Sequence, residues 1–329
     1  MAKPDAETPL LRNQLPGYTS IVAGHLAKAP GVAYLELARP HRHNSFHQEL
    51  WEEFPRALRE LDADESTRVI VLAAQGKNFC AGIDVAYLQR NFLTLLTPPP
   101  PPAAAAGGGS TAAAPGPAPA PACPGSQRAA MRRGILALQA AYSQLEGCRV
   151  PVLAAVQGRC IGGGVDLITA CDLRLCSSGA SFCVKEVDLA ITADLGTLQR
   201  LPHLVGHGVA MDLALTARTV GAEEARRIGL VSTVVPDNNN GGSGGGGGSG
   251  SSSSNGRGAV VAAAVALAAS IAAKPALAVQ GTKRVLLHSR DHPPVSAGLD
   301  YVATWNSGQL LSADLGAVMA AGAGVRARL

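Results

Sequence analysis

Aromatic residues are scarce in this chain, only 4% of it, and no basic block is interleaved with them. With a net charge of only +4, that pattern argues against a nucleic-acid-binding surface. Cys-x-x-Cys pairs are missing. The seven cysteines are odd in number and scattered, which excludes a disulfide frame and zinc-finger spacing and fits reduced thiols in an intracellular compartment. His41 and His43 lie close together, but no second ligand pair follows, so they read as part of a solvated loop and no metal is expected. Long apolar runs are missing too. The longest weakly polar stretch, "AVVAAAVALAASIAA" from Ala259 to Ala273, has 15 residues and is mostly alanine. It is too short to span a bilayer and fits a packed helix, so no membrane span is expected. The N-terminus carries Asp5 and Glu7 and has no apolar stretch, so no secretory signal is expected there.

Large apolar side chains are almost absent from two segments. Residues 97–126 are Pro, Ala and Gly runs, and residues 238–258 are Gly, Ser and Asn runs. Neither can bury enough surface to offset the entropy of ordering, so both are expected to be disordered surface inserts. They divide the chain into an N-terminal tail (1–20), a main domain (21–237, interrupted by the first insert) and a C-terminal helical segment (259–329).

What is present alternates between strand and helix patterns. "GVAYLELAR", between Pro30 and Pro40, alternates apolar and polar residues as a strand does. Phe46, Leu50, Phe54, Leu58 and Leu61 recur at helical spacing, with Ser45 as the expected N-cap and Pro55 inside. "RVIVLAAQG" and "VPVLAAVQG" are continuous apolar runs, as in strands buried on both faces. Residues 129–148 read as an amphipathic helix. "DLRLCS" and "ASFCVK" read as short strands, residues 194–206 and 208–217 as helices, and 222–236 as a helix, a Gly stop and a strand. From Ala259 onward the pattern is helical. This alternation predicts a layered α/β domain followed by helices.

The richest chemistry lies in "GRCIGGGVDL" and "CVKEVDLAITADLGT". Gly162, Gly163 and Gly164 allow a tight turn and close approach of a ligand to the backbone at a helix N-terminus. The third glycine of a dinucleotide fingerprint would fall on Leu167, and a P-loop lysine is missing. What remains is a Gly-rich structural turn or an anion site made of backbone N–H groups. Asp166, Glu186 and Asp194 follow among apolar residues, where an ionised carboxylate is costly without a partner. Taken singly, Asp166 could compensate the helix dipole, and Glu186 and Asp194 could be solvated loop acids.

Taken together, "NFCAGID", "GRCIGGGVDLITACDLRL" and "VKEVDLAITADLGTLQRLPHLVG" resemble the enoyl-CoA hydratase/isomerase (crotonase) family over most of residues 20–320, the two inserts apart. The resemblance implies an α/β fold, a crotonase-like spiral of ββα repeats with a C-terminal helical segment that builds a homotrimer or hexamer. It also implies an acyl-CoA thioester substrate, no cofactor, and two backbone donors to the thioester oxygen, on Ile83 and Gly163. Asp at 166, Glu at 186 and a further Asp at 194 match the subfamily that isomerises 3,5-dienoyl-CoA to 2,4-dienoyl-CoA in fatty-acid β-oxidation. On that pattern Glu186 and Asp194 form the acid–base pair and Asp166 supports them, in an order the resemblance does not fix.

The resemblance also sets Arg42 where the family carries a base near the CoA phosphates; a free surface arginine is the alternative. Lys185 and Asp188 read as solvated, and Cys160, Cys171, Cys176 and Cys183 as small core residues. The chain ends Ala327, Arg328, Leu329, similar to a peroxisomal address read by an import receptor, with a mitochondrial location as the alternative. The rival functions are hydration of an enoyl-CoA and non-catalytic acyl-CoA binding.

Overall fold

The computed structural model describes residues 1–91, 123–237, 256–310 and 312–320. Most of the two low-complexity segments, and Ala327 to Leu329, lie outside the described residues. In chain order the first half contains β1 (Leu11–Gln14), β2 (Ile21–Leu26), β3 (Val32–Leu37), α1 (Gln48–Ala63), β4 (Val69–Ala74), α2 (Val85–Asn91) and α3 (Pro124–Gly147). Next come β5 (Val152–Val156), β6 (Arg159–Ile161), α4 (Gly163–Thr169), β7 (Leu173–Ser177), β8 (Ser181–Cys183), α5 (Thr197–Val205) and α6 (His207–Thr216). The remainder is β9 (Val220–Gly221), α7 (Ala222–Arg227), β10 (Thr233–Val235), α8 (Arg257–Ala272), α9 (Ala276–Asp291), α10 (Val295–Gln309) and α11 (Ala313–Ala320).

Seven strands form one sheet in the order β1-β2-β3-β4-β5-β7-β10. Strand β2 pairs antiparallel with both β1 and β3, and from β3 to β10 in that order every pair is parallel. A second sheet, β6-β8-β9, stands apart. Strands β4 and β5 are buried along their whole length, as their continuous apolar runs require, because helices cover both sheet faces. One face packs on α1, α3 and α4 through Leu35, Leu72 and Val156. The other packs on α8, whose Val260, Val261, Ala264 and Ala268 meet Val32, Val71 and Leu153. The alanine-rich run is thus a packed core helix, and its small side chains let it lie close on the sheet. Among the described residues no single helix is long and apolar enough to cross a membrane.

The alternation in β3 has a different cause from a half-solvated strand. Tyr34 and Glu36 are as buried as their apolar neighbours, because they face α8. Glu36 accepts from Tyr34 Oη at 2.7 Å, Thr8 Oγ1 at 2.7 Å and Gln75 Nε2 at 3.0 Å, and pairs with Arg257. Arg257 also holds Asp5 at 2.8 Å and Glu7 at 3.1 Å. Residues 1–20, read as a tail, are therefore tied to the sheet by ion pairs and by β1.

Ser45 is not the N-cap of α1; His47 is, with no capping side chain. Ser45 instead bonds Arg39 Nη1 through its carbonyl at 3.1 Å and its hydroxyl at 3.3 Å. The chain must first bridge Phe46 to Ile83 before turning helical. Helix α3 opens at Pro124, capped by Cys123, and α8 opens at Arg257. Both helices thus begin inside segments expected to be inserts.

Candidate active site

Two loops meet at the N-terminus of α4. The first, Cys80 to Asp84, is pinned on both sides. Phe46 N donates to Gly82 O at 2.8 Å and Asp84 N to Phe46 O at 2.9 Å, while Ile161 N donates to Cys80 O at 2.9 Å. Arg39 pairs with Asp84 at 2.9 Å and anchors the loop end. The second loop is the three-glycine turn. Gly162 has φ 53° and ψ −119°, a region closed to residues with a side chain. A Cβ at Gly164 would lie 3.0 Å from Cys80 Cβ. A Cβ at Gly82 would lie 3.4 Å from the Gly163 nitrogen. The two loops therefore touch backbone to backbone. Among the described residues, neither the Ile83 nor the Gly163 amide donates to a protein acceptor.

Asp166 and Glu186 stand beside this junction, and Asp194 lies on the loop that leads to α5. Asp166, in the first turn of α4, is 1% exposed, and its Oδ1 accepts from Thr197 N at 2.7 Å. Burial lifts its pKa to about 6 against the lowering effect of that hydrogen bond, and the charge of Asp194 adds to the rise. Glu186 opens a 3-10 turn, Glu186–Leu189, and is 8% exposed. Its Oε1 lies 3.2 Å from where a Cβ would stand on Gly162, and its Oε2 has no partner among the described residues. Burial, then the charges of Asp166 and Asp194, push its pKa up to about 7. Asp194 is an exposed residue of the loop before α5, yet partial burial of its carboxyl also raises its pKa. The charge of Asp194 thus adds to the effect of burial at both Asp166 and Glu186, and that of Asp166 adds to it at Glu186.

Helix α3 supports the loop that carries Asp194. Gln139 Nε2 donates to Asp194 O at 2.6 Å. Arg200 reaches Leu195 O at 3.3 Å while paired with Glu146 at 2.8 Å and bonded to Ser143 at 3.0 Å. Sequence reasoning missed Thr197, Gln139, Arg200 and the wholly buried Tyr142, all of which act across long separations. The only local signal was a threonine at a helix start.

Lys185 and Asp188 pair with each other at the surface, as a solvated reading requires. Cys160, Cys171, Cys176 and Cys183 are buried thiols. Arg42 is exposed at the end of the 3-10 turn Pro40–Arg42. The next residue, His43, accepts from Ala81 N at 2.9 Å, so the turn borders the Ile83 loop without joining the acids.

The profile of the enoyl-CoA hydratase/isomerase family matches residues 27–95 and 126–240. The chain is 44% identical over 290 residues to the peroxisomal Delta(3,5)-Delta(2,4)-dienoyl-CoA isomerase of Arabidopsis thaliana, covering 88% of this chain and 89% of that one. It is 37% identical to the mitochondrial Delta(3,5)-Delta(2,4)-dienoyl-CoA isomerase of Homo sapiens, covering 86% of this chain and 74% of that one. Among solved structures, an enoyl-CoA hydratase from Bacillus anthracis superposes with TM-score 0.69 at 26% identity, over 90% of this chain and 93% of that one. This chain belongs to the enoyl-CoA hydratase/isomerase family and has its crotonase fold.

Proposed function

We propose that this chain is an isomerase that converts a 3,5-dienoyl-CoA to the 2,4-dienoyl-CoA in fatty-acid β-oxidation. Its 44% identity with the Arabidopsis isomerase supports the reaction class. The observation that carries the mechanism is a pair of buried acids, Asp166 and Glu186, with raised pKa values near two amides that, among the described residues, donate to no protein acceptor.

The thioester oxygen sits between the amides of Ile83 and Gly163. One member of the Glu186–Asp194 pair removes a proton from the carbon alpha to the thioester. The C–H electron pair forms the 2,3 double bond, the 3,4 double bond shifts to become the 4,5 double bond of the new diene, and the electrons of the 5,6 double bond take a proton at carbon six from the other member. The negative charge that develops on the oxygen is stabilised by the two amides, each such donor being worth about 3–4 kcal/mol in comparable sites. Burial, together with the negative charge of Asp166 held by Thr197, keeps Glu186 protonatable near neutral pH. Only protons move, so the step consumes neither water nor an electron carrier.

Arg42 serves the CoA phosphates by a charge-assisted contact. Helices α9 to α11, which expose Leu286, Leu299 and Val318, form the contact of a homotrimer or hexamer, measurable by sedimentation. The name of the Arabidopsis relative supports a peroxisomal location and that of the human relative a mitochondrial one; imaging of a tagged chain beside markers of both organelles decides between them.

The deciding experiment supplies 3,5-dienoyl-CoA and follows the absorbance of the conjugated 2,4-dienoyl thioester. Hydration of a 2-enoyl-CoA with no isomerisation would make the chain a hydratase instead.

A further inference from the structure

Tyr142 belongs to α3, and its ring is locked among aromatics. It stands perpendicular to Phe46 at 5.3 Å and against Trp51 at 5.1 Å between ring centres. The side chain is wholly buried, and among the described residues its hydroxyl has no hydrogen-bond partner. A buried hydroxyl left unsatisfied is a standing penalty, and each such group in a native protein calls for an explanation.

The direction in which the hydroxyl points supplies one. The position that a Cβ would take on Gly163 is 3.2 Å from Tyr142 Oη, 3.6 Å from Gly82 Cα and 3.7 Å from the Gly82 carbonyl carbon. That carbon is bonded to the Ile83 nitrogen, and Gly163 carries the other unpaired amide. The hydroxyl therefore faces the point where both amide-bearing loops meet. Another orphaned polar atom nearby, Glu186 Oε2, belongs to a carboxyl lying against the adjacent Gly162.

We propose that the Tyr142 hydroxyl is a third donor to the thioester oxygen, beside the amides of Ile83 and Gly163. The inference rests on the function proposed above and adds a substrate-contacting side chain to it. A phenol fits this role because its O–H is a donor and the aromatic clamp fixes it before the substrate arrives, so no reorganisation is needed as charge grows on the oxygen. Glycine at 163 fits as well, because a Cβ there would crowd the hydroxyl at 3.2 Å.

The test is Tyr142→Phe, which removes one oxygen and keeps the ring packing. With 3,5-dienoyl-CoA, kcat should fall about ten-fold and KM stay within about two-fold, since the bond strengthens as the oxyanion forms. Melting temperature should hold or rise. A second readout uses acetoacetyl-CoA, whose bound enolate absorbs in the near ultraviolet. Its enolisation midpoint should move up by about one pH unit in the variant, the equivalent of a ten-fold loss. An unchanged kcat together with an unchanged midpoint would overturn the proposal and leave Tyr142 a packing residue of the aromatic cluster. A wild type that enolises acetoacetyl-CoA but never isomerises the dienoyl thioester would instead remove the isomerase reading, and the midpoint shift would still decide the role of Tyr142.

Discussion

The backbone N–H of Thr197, at the start of α5, donates to Asp166 Oδ1 at 2.7 Å across 31 residues of chain. It fixes a buried carboxylate at the head of α4 and ties the loop bearing Asp194 to the helix bearing Asp166.

Asp166→Asn keeps an acceptor for that amide, whereas Asp166→Ala strands a buried N–H. The alanine variant should therefore be less stable than the asparagine variant by about 1–3 kcal/mol. Urea unfolding of both, followed by circular dichroism, measures the gap.

Charge removal at 166 has a separate consequence. The Asp166 carboxylate helps hold Glu186 at about 7. In Asp166→Asn, the Glu186 pKa falls, and the limb of the pH–rate profile governed by its ionisation moves to lower pH. A profile of kcat/KM between about pH 5 and 9 for both proteins checks the direction.

Stability carries the same signature. Glu186 has its folded pKa raised to about 7, against about 4.3 unfolded. Between those values the folded state holds more protons than the unfolded one, so this group makes stability fall as pH rises through that window. Glu186→Gln removes the effect. Its melting temperature relative to wild type should climb as pH rises from about 4.5 to 8, by scanning fluorimetry in matched buffers.

Gly162 tolerates no side chain. An alanine there must adopt φ 53°, ψ −119° and would bring its Cβ to 3.2 Å from Glu186 Oε1. We expect Gly162→Ala to lose about 1–3 kcal/mol of stability and to lose activity through displacement of Glu186. The loss should exceed that of Gly134→Ala, whose Cβ meets nothing within 4 Å.

Far from the acids, Arg257 neutralises Glu36, which is wholly buried. Arg257→Met should cost about 3–5 kcal/mol by leaving that charge unpaired, while kcat of the folded fraction stays unchanged. Chemical unfolding and active-site-normalised rates separate the two effects.

Much of the candidate site is conspicuous in the sequence because its signals are local. The three glycines need no partner to announce a tight turn, and acids among apolar residues are conspicuous wherever they fall. Strands β4 and β5 were readable because burial on both faces leaves an unbroken apolar run. What the sequence hid is set by pairing at a distance. Ser45 looks like a cap until Arg39 claims its hydroxyl. Glu36 looks solvent-facing until Arg257, 221 residues later, covers it. Tyr142 and Arg200 read as ordinary helix residues, because what they touch is decided only when α3 packs against the loops at 82, 163 and 195.

The most direct test compares initial rates on 3,5-dienoyl-CoA for wild type, Glu186→Gln and Asp194→Asn under saturating substrate. Each variant should fold normally and form the conjugated product about 10²–10⁴ times more slowly. Rates equal to wild type in both would show that these carboxyls move no proton and that the slot beside Ile83 and Gly163 merely holds the thioester.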